Sequence, residues 1–150
     1  MQKITTFLWF NDQAEEAANF YCSIFKNSKI TSSMKANGKV MSATFNLDGQ
    51  EFIALNGGPL FKFTEAISLF VSCETQGEID EMWTKLLSGG GQESMCGWLK
   101  DKYGLSWQIV PPALGQMLSD KDATKAKRTM DAMMKMRKLD IAALKKAYHG

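Results

Sequence analysis

Few side chains in this chain are of a type that does acid–base or metal chemistry from a fixed place in a fold. The only histidine, His149, is the penultimate residue and reads as idle. Asp12, Glu15, Glu16, Glu74, Glu78, Asp80 and Glu81 fall on helix caps or outward helix faces, and Glu51 and Glu65 sit at strand entrances beside turn residues, where a surface role is expected. Cys22, Cys73 and Cys96 are odd in number, lack C-x-x-C spacing and lie in apolar segments, which points to reduced thiols, a reducing compartment and a cytoplasmic protein. Gly89-Gly90-Gly91 follows a helical pattern and reads as a helix stop, not a phosphate cradle. What remains is Gln108. In the stretch Cys96–Pro112, CGWLKDKYGLSWQIVPP, the runs Trp98–Asp101 and Leu105–Val110 flank Lys102-Tyr103-Gly104 and read as a β-hairpin. Alternation sends Ser106, Gln108 and Val110 to one face and Trp107 and Ile109 to the other. If the tryptophan face packs on a helix, Gln108 points into whatever the other face encloses.

The elements around that hairpin come in two similar runs. Lys3–Phe10 reads as a strand; Asp12 with Glu15 resembles a capping box; Ala17, Phe20, Tyr21, Ile24 and Phe25 form a helical stripe. Ile30–Met34, Val40–Leu47 and Glu51–Leu55 follow as strands, separated by the hairpin dipeptides Asn37-Gly38 and Asp48-Gly49, before Gly57-Gly58-Pro59 stops the run. Then the order repeats. Ile67–Cys73 is a strand, Thr75-x-x-Glu78 a capping box, and Ile79, Met82, Trp83, Leu86 and Leu87 a stripe, with a short strand near Gln92–Met95 ahead of the Trp98–Val110 hairpin. A shift of about 62 residues lays the second stripe on the first. Two copies of βαβββ predict an α+β fold in which each copy forms a four-stranded sheet with its helix on one face.

Composition fits an ordinary globular domain, 45% hydrophobic and 23% charged. Charge is unevenly placed: residues 1–111 hold 9 Lys+Arg against 12 Asp+Glu, and residues 112–150 hold 9 against 4. The basic tail is interleaved with Asp131 and Asp140 and lacks aromatic partners before Tyr148, so a solvated helix face is expected and no nucleic-acid partner. No apolar run approaches the ~20 residues of a membrane helix, MQKITTFLWF does not read as a charged leader ahead of a long apolar run, and no membrane association is expected. Leu114–Leu118 reads as a helical turn, Ser119–Asp122 as a cap for a helix over about Ala123–Leu139, and Ile141–Tyr148 as a second short helix. Ala126, Met130, Met133 and Met134 share one side, taken as core or subunit contact.

Taken in order, FLWFNDQAEEAANFYCSIF, FIALNGGP, ISLFVSC, EIDEMWTKLLSGGG, the 96–112 stretch and KRTMDAMMKMRKLDIAALKKAY resemble the vicinal oxygen chelate (glyoxalase/bleomycin resistance/dioxygenase) superfamily. The resemblance is closest to its PhnB-like branch, labelled 3-demethylubiquinone-9 3-methyltransferase-like. It implies paired βαβββ modules (about 1–58 and 64–111) forming a U-shaped mixed-sheet cleft over residues 1–111, with a helical C-terminal extension, 112–150, packed on the domain or a dimer partner. It also implies a homodimer. In metal-using relatives four strand positions supply ligands; carried over, they fall at or beside Thr5, Ala54, Ala66 and Gln108. Of these four only Gln108 keeps a side chain suited to bind a metal through oxygen, and Glu65 is the sole carboxylate among their neighbours, so a metal-free cleft is expected, without lyase or dioxygenase chemistry. The label carries S-adenosylmethionine as cofactor only if it is literal, because the turn after the first strand, Asn11-Asp12-Gln13, is not the glycine-rich turn of familiar methyltransferases.

Alternation from Thr5 adds Phe7 and Trp9 to the expected cleft wall; the second module adds Ser68 and Phe70; Ala54, Asn56, Trp98 and Gln108 complete it. Such a wall suits a planar or apolar small molecule. The expected function is a metal-independent protein that binds a small, partly aromatic ligand, its reaction undefined. The alternatives are the methyltransferase of the label and a non-catalytic structural dimer with a filled cleft.

Overall fold

The computed structural model describes residues 2–150, which form two units, 2–63 and 64–150. The first contains β1 (Thr6–Phe10), α1 (Ala14–Ile24), β2 (Lys29–Ala36), β3 (Lys39–Leu47) and β4 (Gln50–Asn56). Its sheet runs β1-β4-β3-β2, with β1 parallel to β4 and the other pairs antiparallel. The second contains β5 (Ser68–Ser72), α2 (Gln76–Leu87), β6 (Gln92–Glu93), β7 (Trp98–Lys100) and β8 (Ser106–Val110), in sheet order β5-β8-β7-β6 with β5 parallel to β8. The repeated βαβββ order is therefore the order the chain adopts.

Each helix buries one sheet face. In the first unit Leu8, Phe10, Ala43, Phe45, Phe52 and Ala54 lie buried with Ala14, Ala17, Ala18, Tyr21 and Ile24 of α1. Tyr21, Phe45 and Phe52 stack in succession at centroid distances of 6.3 and 5.5 Å. In the second unit Ile79, Trp83 and Leu86 of α2 pack against β7 and β8, where Leu99, Trp107 and Ile109 are buried. The Thr75 hydroxyl accepts the Glu78 N–H at 3.2 Å, the cap that its spacing predicts.

The C-terminal segment adds α3 (Pro112–Leu118), α4 (Ala123–Met133) and α5 (Ile141–His149). Val110, Leu114, Met117, Leu139 and Leu144 form a second small core. An irregular stretch ties this core to the sheet: the Cys96 and Gly97 N–H groups donate to the carbonyls of Met136 and Arg137, and Gln76 bonds both the Leu139 carbonyl and the Ile141 N–H. Lys138 pairs with Asp80 and Arg137 with Glu93.

Several local expectations are corrected. Asp12 does not cap α1: the cap position is Gln13 without a side-chain bond, and the Ala14 N–H is held by Asn56 Oδ1 at 2.7 Å from the end of β4. The first strand starts at Thr6, not Lys3, because its ladder with β4 begins at the pair Thr6 and Phe52. The main tail helix ends at Met133 rather than Leu139, since the backbone at 136–137 serves Cys96 and Gly97 instead of a helix. Its buried residue is Thr129, while Met130 and Met134 are 39% and 60% exposed, so these two methionines are not core. Among the described residues no helix is long and apolar enough to cross a membrane.

Candidate functional site

Pairing in the second sheet fixes which side chains share its open face. Ser68, Phe70 and Ser72 of β5 lie level with Ser106, Gln108 and Val110 of β8, and Trp98 and Lys100 of β7 lie level with Gln108 and Ser106. Ser68, Phe70, Trp98 and Gln108, singled out from the sequence, are thus brought together. The Gln108 Nε2 donates to Ser68 Oγ at 2.9 Å. Beside them lies a hollow of 340 Å³, lined by Phe70, Cys96, Trp98, Gln108 and Val110 and, from the C-terminal segment, by Pro111, Pro112, Leu114, Gly115, Leu118 and Met133. No lining residue carries a charge.

No local sequence pattern displays the C-terminal contribution. The nearest signal is this: Pro111-Pro112 directly after the strand sets Pro112 in the first turn of α3, starting a helix beside the strand it has just left. The hollow is an aromatic and aliphatic wall around one carboxamide, so apolar surface and a single hydrogen-bonding group are what it presents.

Trp98 also borders a second, more polar hollow of 220 Å³, with Glu65, Gln92, Glu93, Ser94, Leu99, Lys100 and Ser106. Lys100 and Glu65 form an ion pair there, and the Lys100 hydrogen bond and charge hold the Glu65 carboxyl below its usual range. Glu65 is therefore engaged at the surface. Ser106 is 1% exposed, and its hydroxyl has no hydrogen-bond partner. Removing such a group relieves an unmet desolvation cost, so Ser106→Ala is expected to leave the melting temperature unchanged or raise it slightly. A drop of several degrees in a thermal melt would contradict this.

The first unit divides its predicted residues between two faces. Phe7 and Trp9 lie on the side away from α1, with Phe7 55% exposed, and Thr5 lies just before β1. The Thr5 hydroxyl donates to Glu51 Oε1 at 3.2 Å; the Trp9 indole donates to the Gly58 carbonyl at 2.9 Å and meets Phe61 edge-on at 4.9 Å. Ala54 and Asn56 are not on that face. Parallel pairing sets them level with Leu8 and Phe10, on the helix side, and Ile53 and Leu55 take the open positions beside Phe7 and Trp9. Ala54 is fully buried, and Asn56 is committed to Ala14 and to the Val40 carbonyl at 3.0 Å. Both are structural.

The thiols do not assemble a reactive centre. All three are free, and burial, with the Glu78 charge, pushes the Cys73 thiol up to about 11. Among the described residues no three His, Cys, Asp or Glu side chains are grouped as metal ligands.

Comparison with known proteins gives a consistent likeness. The 3-demethylubiquinone-9 3-methyltransferase family model matches residues 2–110. A Bacillus cereus protein described as a putative 3-demethylubiquinone-9 3-methyltransferase, PhnB protein, is 44% identical over 73% of this chain and 99% of its own, with a TM-score of 0.68. Two more distant structures speak to the fold alone. The fosfomycin resistance protein FosX of Listeria monocytogenes, solved with Mn(II) and sulfate, is 15% identical over 74% of this chain and 91% of its own, TM-score 0.54. A glyoxylase/bleomycin resistance protein/dioxygenase domain from Frankia is 13% identical over 74% and 92%, TM-score 0.52. None of the curated proteins is significantly similar to the chain.

Proposed function

The chain belongs to the 3-demethylubiquinone-9 3-methyltransferase family, the PhnB-like branch of the glyoxalase/bleomycin resistance/dioxygenase superfamily, and from that premise we propose that it binds a small, partly aromatic ligand without a metal ion. The observation that carries this reading is the uncharged hollow around Gln108, walled by Trp98 and Phe70. A thermal-shift screen of planar aromatic compounds tests it. Stabilisation that is weakened in Gln108→Ala for compounds able to hydrogen-bond the amide is expected, and no stabilisation by any compound would favour a structural protein instead.

The donor set supports the metal-independent part. An ion of the kind seen in FosX needs about three ligands from His, Asp, Glu or Cys. At the four family positions Thr5 is bonded to Glu51, the Ala54 methyl is buried on the helix side, Ala66 has no donor, and Gln108 is bonded to Ser68. These residues do not fit a metal.

The family label favours a second reading, methyl transfer from S-adenosylmethionine. The residues fit that cofactor poorly: β1 leads into α1 through Asn11-Asp12-Gln13, and Gly89-Gly90-Gly91 follows α2, with the Gly91 N–H returned to Leu87 at 2.9 Å. A rise in melting temperature with S-adenosylmethionine would support the label over the binding reading. The reading also includes a homodimer, supported by the exposed Met130 and Met134 of α4 and by Phe7. Light scattering at micromolar concentration should give twice 16.7 kDa, and a monomer mass would contradict it. A cytoplasmic location is part of it as well, supported by three free thiols.

A further inference from the structure

We infer that the hollow beside Gln108 selects neutral aromatic molecules that carry a hydrogen-bond donor, such as phenols, over the corresponding ethers and aromatic acids. This rests on the binding reading above and names its ligand class. The Gln108 carboxamide is half-buried, with Phe70 and Trp98 level with it on either side. Its Nε2 is given to Ser68 Oγ at 2.9 Å. That bond fixes the plane of the amide and leaves Oε1, a pure acceptor, for the guest. A guest that buries this oxygen without donating to it forfeits the hydrogen bond the oxygen makes with water.

Charge sets the other limit. Every lining residue is uncharged, and the cation next along the same face of β7, Lys100, is already paired with Glu65. A carboxylate entering beside Gln108 would lose hydration, find no free cation and face the amide oxygen. A neutral phenol meets none of these penalties, stacks against Trp98 and Phe70, and gives its O–H to Oε1. Ser68 acts as a positioning residue: without it the amide is free to turn its N–H groups toward the guest, and the preference for donors falls.

The test is calorimetric titration of the full chain at pH 7 with 1-naphthol, 1-methoxynaphthalene and 1-naphthoate. The naphthol is expected to bind about tenfold more tightly than the ether, and the naphthoate more weakly than both. In Gln108→Leu the naphthol should fall to the ether's affinity with the ether little changed, and in Ser68→Ala the ratio should narrow at an unaltered melting temperature. Should either variant fail to fold, the three-probe comparison on the unaltered chain decides alone. Equal binding of naphthol and ether, or tightest binding of ether or naphthoate, overturns the inference and leaves the binding reading standing; no binding of any probe overturns both.

Discussion

Trp107→Ala is expected to cost about 3–5 kcal/mol of folding stability, and Gln108→Ala no more than about 1 kcal/mol, although the two residues are adjacent. Trp107 is 2% exposed and faces α2, level with Leu69 and Leu99. Its truncation leaves a cavity beneath the helix. It also removes a donor from a buried carboxylate: Asp101, 3% exposed, accepts the Trp107 indole N–H at 2.9 Å on one oxygen and the Tyr103 and Leu105 N–H groups at 2.8 and 3.1 Å on the other. Gln108 gives up only a partly exposed bond to Ser68. Urea unfolding of both variants checks this, and equal midpoints would show that the two faces of β8 are not as different as their burial indicates.

Gly97→Ala is the second large effect, about 2–4 kcal/mol. Gly97 has φ +84, a conformation that disfavours any side chain, and an added methyl carbon would lie 2.9 Å from Leu139 Cδ1 and 3.0 Å from the Ile109 carbonyl oxygen. The strain falls on the joint between the sheet and the C-terminal segment, where the Gly97 N–H also donates to Arg137. Hydrogen exchange should show faster opening of α3 to α5 in the variant. Unchanged stability and unchanged exchange there would contradict the docking described for residues 136–141.

The repeat is legible because stripe and preceding strand recur at one spacing, and Thr75 caps α2 through the Glu78 N–H, the half of the expected capping box that forms. The direction of Gln108 is legible because a hairpin with its turn at Gly104 leaves little freedom in register. Ala54 and Asn56 face the helix rather than the expected cleft for a related reason. Parallel strands have no turn between them to set register, so the facing of β4 against β1 is decided by how Leu8, Phe10 and Phe52 pack under α1. Asn56 looked like a ligand group, yet it caps a helix 42 residues away in sequence, a partnership that no local pattern displays. Leu114, Leu118 and Met133 were invisible as lining because their place depends on how α3 and α4 fold back after Pro112.

A planar guest is expected to sit against Trp98 and Gln108 without a metal. Titration of 1-naphthol into chelator-treated, ¹⁵N-labelled protein tests this most directly, because the four tryptophans Trp9, Trp83, Trp98 and Trp107 each report from a different place. Saturable shifts of the Trp98 indole and Gln108 side-chain amide signals are expected, with Trp83 and Trp107 unmoved. Shifts that appear only after a divalent ion is added, or that leave Trp98 and Gln108 untouched, would contradict this.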